Sequence, residues 1–186
     1  MHISKLTIFF SILLTFNSLA QKNKTITPSS VEQFPVPPTS SVSLFYIQRS
    51  SNINTIIYDA KIGVDKKLDP KNPVYTYWIR YNEGGKKQEL SSIQRSLAYG
   101  LHTKATAGES GSYDGYFFAY RKRKFAVKMN NKGEPIALFP INGKMQILKK
   151  VFVKVDESGM MPLVISVELW GRDVTTDKEV YEKFKP

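Results

Sequence analysis

From Val42 onward the chain alternates apolar and polar residues, the period-2 pattern of strands with two unlike faces. Ser43–Arg49 (SLFYIQR) and Thr55–Ile62 (TIIYDAKI) flank the turn-rich Ser50–Asn54, which predicts a β-hairpin. Val74–Tyr81 (VYTYWIRY) reads as a third strand of aromatic and β-branched residues, closed by Glu83-Gly84-Gly85. Alternation then fails. Leu90, Ile93 and Leu97 fall at i, i+3 and i+7 ahead of Gly100, so Gln88–Tyr99 predicts one short helix.

Strands resume over Ala98–Thr106, Tyr113–Tyr120 and Phe125–Met129, the last two joined through Arg121–Lys124. Ile136–Phe139 and Lys144–Asp156 flank Asn142-Gly143, a dipeptide that favours the positive φ of a tight hairpin. Leu163–Gly171 and Glu179–Lys185 complete the series around the Thr175-Thr176-Asp177 turn. About nine or ten strands and one short helix predict an all-β, mainly antiparallel single domain, because so many strands must hide their edges in a barrel-like or sandwich closure.

The chain's start has a different pattern. Leu6–Phe16 is apolar apart from Thr and Ser, follows Lys5, and is followed by Asn17-Ser18-Leu19-Ala20. This is the order of a secretory signal peptide over residues 1–20, with cleavage expected before Gln21. As a helix, the apolar run spans about 16 Å, roughly half a hydrocarbon core, which argues against a transmembrane anchor. No second long apolar run occurs, so the exported product is expected to be soluble, periplasmic or extracellular. Gln21–Ser41 is rich in Lys, Thr, Ser and Pro and reads as a flexible or extended lead-in, leaving 42–186 as the folded domain.

Charge and cysteine content narrow the chemistry. Without residues 1–20 the chain has 26 Lys+Arg against 16 Asp+Glu, a formal charge of +10. Zero Cys excludes disulfides, thiolate metal centres and Cys nucleophiles. Export lowers the expectation of nucleic acid as a partner and leaves surface glycans, lipid head groups and acidic polymers as the polyanions to meet. With His2 in the leader, His102 is the only other His, so no His-pair metal site can form, and no metal or other cofactor is expected. Asp65, Asp69 and Asn72 do not follow the alternating spacing of a calcium loop and read as turn residues.

No complete catalytic constellation is present. Gly108-Glu109-Ser110-Gly111-Ser112 lacks the final Gly and the strand-to-helix setting of a nucleophile elbow, so a Ser110–His102 pair is not favoured. Charged residues on the strands are better candidates. Arg49, Asp59, Arg80 and Glu168, with Tyr99, are the candidate ligand-binding set: in a barrel they would line a polar interior that grips a polar ligand. The alternative is a solvated face with weak cross-strand ion pairs. Arg121, Lys122, Arg123 and Lys124, beside Tyr116, Phe118, Tyr120 and Phe125, are the candidate contact for an anionic surface. Placed at a hairpin tip, they would equally serve solubility and edge protection.

The segments FYIQRSSNINTIIYDAK (Phe45–Lys61), LDPKNPVYTYWIRYNEGGKKQELSSIQRSLAYG (Leu68–Gly100) and VELWGRDVTTDKEVYEKFKP (Val167–Pro186) are similar to domain-of-unknown-function family 4833. The resemblance runs from about Phe34 to the C-terminus and implies a small exported single-domain protein of a mostly bacterial family. It supplies no activity and no site residues. The expectation is therefore a monomeric, non-catalytic domain for an anionic glycan or small polar ligand. A protein-interaction module using a sheet edge ranks second. A hydrolase or lyase acting on surface polymers through Asp59 or Glu168 ranks third and predicts that the two carboxylates converge as a pair in a cleft.

Overall fold

The computed structural model describes residues 34–160 and 162–186. The expected signal peptide and the first part of the lead-in lie outside the described residues. Eleven strands follow in order: β1 (Ser43–Arg49), β2 (Asn52–Ala60), β3 (Val74–Arg80), β4 (Lys86–Glu89), β5 (Leu101–Ala105) and β6 (Ser112–Phe117). Then come β7 (Tyr120–Met129), β8 (Pro135–Ile141), β9 (Lys144–Asp156), β10 (Leu163–Arg172) and β11 (Glu179–Phe184). They form one curled, mixed sheet, a half-barrel, with the path β4-β3-β2-β1-β9-β8-β7-β6-β5 and with β10 and β11 branching from β9. All pairings are antiparallel except β1 with β9.

The thirteen-residue β9 organises the sheet. Lys144–Ile147 pair with β8, Lys150–Val153 pair with β1, and β10 pairs with β9 from Ile147 to Asp156. Since β10 fills one edge of β9, β8 and β1 share the other edge in succession. Two arms, β8–β5 and β1–β4, thus leave the same edge and curl toward each other. Alternation places Phe45, Ile56, Tyr58, Trp78, Phe117 and Phe139 on the inner face, where they form the core. The Phe117 ring, from one arm, meets Phe45 and Tyr58 of the other at 5.9 Å each, edge to face.

Between the arms' far ends, the sequence pattern overstated helix. Lys86–Glu89 form an edge strand, and the backbone coils only over Ser92–Ala98, as a π-type turn at Gln94–Ala98 entered through Ser92-Ile93, with a 3-10 turn at Tyr81–Glu83. Leu90 is buried, but Ile93 and Leu97 are 72% and 68% exposed, so the expected apolar stripe buries a single residue. The wide turn closes by a Tyr99 N–H bond to the Gln94 carbonyl at 2.9 Å. A Cβ on Gly100 would lie 1.4 Å from the Arg95 carbonyl oxygen, which is why glycine follows the turn. The turn ties the arms together. Tyr58 Oη donates to the Tyr99 carbonyl (2.8 Å), and the Phe118 N–H donates to the Gly100 carbonyl (3.1 Å).

The described end of the lead-in lies on the outer face. Phe34 packs edge-on against Phe152 (5.2 Å), and Gln48 Nε2 donates to the Pro35 carbonyl (2.8 Å). Pro37 and Pro38 then pass beside Tyr46 and Ile57, leaving a shallow, mostly apolar pocket of about 200 Å³. This cover explains why β2 is buried on both faces from Asn54 to Ala60.

Candidate functional site

The five candidate ligand-binding residues divide between the two faces. Arg49 ends β1 on the inner side, where its guanidinium lies 5.5 Å from the Trp78 ring and 5.2 Å from the Tyr99 ring. The two rings meet edge to face at 5.2 Å, and Trp78 Nε1 points to Gln94 Oε1 (3.4 Å). Arg49 Nε is buried without an acceptor. The guanidinium makes no ion pair among the described residues, and the residue as a whole is half-buried. Burial pushes the half-buried Tyr99 hydroxyl up from its ordinary pKa, and the neighbouring Arg49 charge pulls it partly back. A corner of two rings and a cation with no counter-charge among the described residues thus form a slot at the rim of the half-barrel.

Arg80 lies on the same face of β3 as Trp78, two residues on, but its guanidinium is held by Glu83 at 2.7 and 3.1 Å. Asp59 faces outward, where Tyr77 Oη donates to Oδ2 (2.9 Å) while Oδ1 is buried without a partner. Burial first, and then the Asp59 hydrogen bond, push the Tyr77 hydroxyl above its usual range. Glu168 also faces outward and is saturated: Lys183 Nζ holds Oε1 and Tyr181 Oη donates to Oε2, both at 3.0 Å. Beside it, Lys150 sits 5.0 Å from the Trp170 ring and 5.9 Å from that of Tyr46, and burial lowers its pKa.

The two carboxylates therefore do not converge. Asp59 pairs across to Ser43, whereas Glu168 pairs through Phe152 to Gln48, five residues further along β1. Three strand intervals and that offset separate them by on the order of 20 Å, beyond any glycoside-cleaving pair. Ser110 and His102 do not meet either. His102 pairs with Tyr116, three rungs before the last rung Ala105–Tyr113, and Ser110 lies in the loop beyond it.

The basic segment belongs to strand β7; the hairpin tip is Phe118-Ala119. A register irregularity between Tyr116 and Phe117 redistributes its side chains. Arg123 turns inward to Glu182, with bonds of 2.6 and 3.0 Å, and stacks 4.0 Å from the Phe184 ring. Arg121 instead lies 5.7 Å from the Tyr116 ring and 5.9 Å from that of Phe118, exposed with Lys122 and Lys124. One of the four residues is a structural clasp and three remain at the surface.

A family model described as "Domain of unknown function (DUF4833)" matches residues 45–183, well over half of the 186-residue chain. The chain belongs to the DUF4833 family. No curated protein and no solved structure matches it. The match spans every strand of this DUF4833 domain except the first residues of β1 and the last of β11. Arg49, Trp78, Tyr99 and Arg121 all fall inside it. Alternation along Val74–Tyr81 puts Trp78 on the same strand face as Arg80. That alternation was the available sign that an aromatic wall stood beside the cations. Nothing in the sequence showed that Arg49 would reach Trp78 from two strands away.

Proposed function

We propose that this DUF4833 protein is an exported, non-catalytic binding domain that receives an acidic group of a surface glycan or small polar ligand in the Arg49 slot. The observation that carries this reading is a half-buried arginine laid against the corner formed by Trp78 and Tyr99, with no carboxylate partner among the described residues. Cations removed from water are ordinarily paired, and a guanidinium fork is matched to a carboxylate or sulfate by two parallel, charge-assisted bonds. The two adjoining rings brace the fork before a ligand arrives, which lowers the ordering cost of binding. Export is supported by the leader-like residues 1–20. The separation of Asp59 from Glu168 favours binding over polymer cleavage. Strand addition at the β4 edge is disfavoured, because that edge is four residues long and carries Lys86 and Lys87.

The test is calorimetric titration of the purified protein with an oligosaccharide of hexuronic acid and with its uncharged counterpart. The acidic sugar is expected to bind and the neutral one to bind at least ten times more weakly, with Arg49→Met abolishing the difference. Equal affinity for the two sugars, or full acidic-sugar binding by Arg49→Met, overturns the assignment.

A further inference from the structure

On the far arm, the outer face of β5, β6 and β7 has an organisation that the Arg49 slot does not use. His102, Tyr116 and Lys124 form one cross-strand row. The His102 ring stacks on Tyr116 at 4.9 Å and 27°, and Arg121 lies over both Tyr116 and Phe118, themselves edge to face at 6.0 Å. The next row runs from Lys104 through Asp114 to Ala126.

The charges on this face do not cancel. Lys128 is neutralised by Glu109 (3.0 Å), and Arg123 is taken inward by Glu182. Lys104, Arg121, Lys122 and Lys124 are all exposed and none lies within ion-pair distance of a carboxylate among the described residues. Asp114 is the single acidic residue in the two rows. The surplus is ordered as well as concentrated, since the Tyr116 and Phe118 rings hold Arg121 in place and spare part of the entropy a free side chain loses on binding. No large hydrophobic residue between 101 and 129 is strongly exposed, and the exposed Ile93 and Leu97 of the adjoining turn belong to neither row, so the rows themselves have no wedge for a bilayer.

We propose that the outer face of β5–β7 is a second binding surface, for an anionic polysaccharide carrying sulfate, phosphate or carboxylate groups along its length. Charge complementarity selects a polyanion, and the absence of an apolar wedge selects a polymer in solution over a membrane. The choice of glycan over nucleic acid rests on the proposed export. The surface itself is independent of Arg49, which serves the other arm.

The experiment measures retention on immobilised heparin as a sulfated-polysaccharide probe, over a salt series. Arg121→Ala/Lys124→Ala is compared with Lys66→Ala/Lys67→Ala, which removes the same charge from an exposed loop between β2 and β3. The β7 pair is expected to weaken binding at least ten-fold and to flatten its salt dependence, with the loop pair within two-fold of the parent protein; circular dichroism and the melting midpoint report whether either variant is misfolded. Equal losses from the two pairs would reduce the effect to net charge and overturn the surface. Because heparin carries the hexuronate and sulfate groups that the Arg49 slot is itself proposed to take, both pairs are also made on an Arg49→Met background. Disappearance of the β7-pair effect there would make this the same site and overturn the second surface. Single-stranded DNA or anionic vesicles that bind tighter than heparin with the same Arg121/Lys124 dependence would keep the surface but overturn the glycan. If the hexuronate test fails while the β7 pair still controls heparin retention, the Arg49 reading falls alone.

Discussion

Arg49 and Arg123 are both arginines laid against aromatic rings, both half-buried, and they solve the same problem in opposite ways. Arg123 stacks on Phe184 and gives both ends of its fork to Glu182, while Nη1 also reaches the Pro140 carbonyl at 3.2 Å. Glu182 is completed by the Asn142 N–H at 2.7 Å. The result fastens β7 to β11, two strands that share no ladder. Arg49 lies against a corner of two rings and has no acid partner among the described residues. The comparison teaches that stacking alone does not mark a binding residue: what separates clasp from slot is whether the protein supplies the counter-charge.

The largest expected effect is on the clasp. Arg123→Ala leaves a largely buried Glu182 without its cation and is expected to cost about 3 kcal/mol of stability, read as a shift in the urea midpoint. A loss below about 1 kcal/mol would place the pair among ordinary surface bridges and erase the contrast with Arg49.

Glu182→Gln is expected to cost less, about 1–2 kcal/mol at neutral pH, because an amide still accepts from Asn142 and Arg123. Burial alone would raise the Glu182 pKa, but Arg123 and the Asn142 N–H outweigh it and hold the carboxyl below the ordinary value. A depressed folded-state pKa contributes stability that is fully present above the unfolded carboxylate pKa and lost as pH falls through the folded one. The stability gap between the parent protein and Glu182→Gln should therefore be widest at neutral pH and close in acid. A gap that is constant with pH would show that the carboxylate charge contributes nothing.

Arg49→Met is expected to change stability by less than about 1 kcal/mol in either direction, since an apolar chain packs against the two rings and no acid is stranded. Ligand binding, not the unfolding midpoint, should register this change. A large destabilisation would make Arg49 a structural residue like Arg123.

The smallest effect separates clasp acidity from local turn acidity. Asp173 accepts the Thr176 and Thr175 N–H groups (2.8 and 3.0 Å), a bond from Gln146 Nε2, and the Thr176 hydroxyl, which together lower its pKa to about 2. Its contribution is present above the ordinary value of 3.8 and lost as pH falls through about 2. Asp173→Asn should trim a shallow acid limb and leave the Glu182-dependent limb in place. Loss of both limbs together would mean that the two titrations are not separable.

Strand positions were legible because side chains keep a period of two over most of each strand, interrupted only at local register shifts. β9 runs over Lys144–Asp156 as its alternation predicts, and Asn142 and Gly143 take φ values of 51° and 76° in the hairpin turn. The helix over Gln88–Tyr99 was misread because Leu90, Ile93 and Leu97 have helical spacing, yet only Leu90 meets the core. β4 was missed for a related reason: KKQE has no apolar residue and is held by its ladder to β3. The basic run was placed at a tip because four like charges resemble a turn, whereas the reversal falls at Phe118-Ala119.

Local alternation by itself determined that this protein is a β domain, where most of its strands begin and end, and which residues share a face, because each depends on neighbours a few residues apart. Family membership was also carried by contiguous segments. Pairing partners were decided only by the tertiary structure. The two-edge pairing of β9 brings Arg49 to Trp78 and Tyr99, sends Arg123 to Glu182 and keeps Asp59 away from Glu168. Those juxtapositions depend on strand order and curl, which are set by how the whole sheet buries its aromatic face, and the charge pattern of any one strand contains neither.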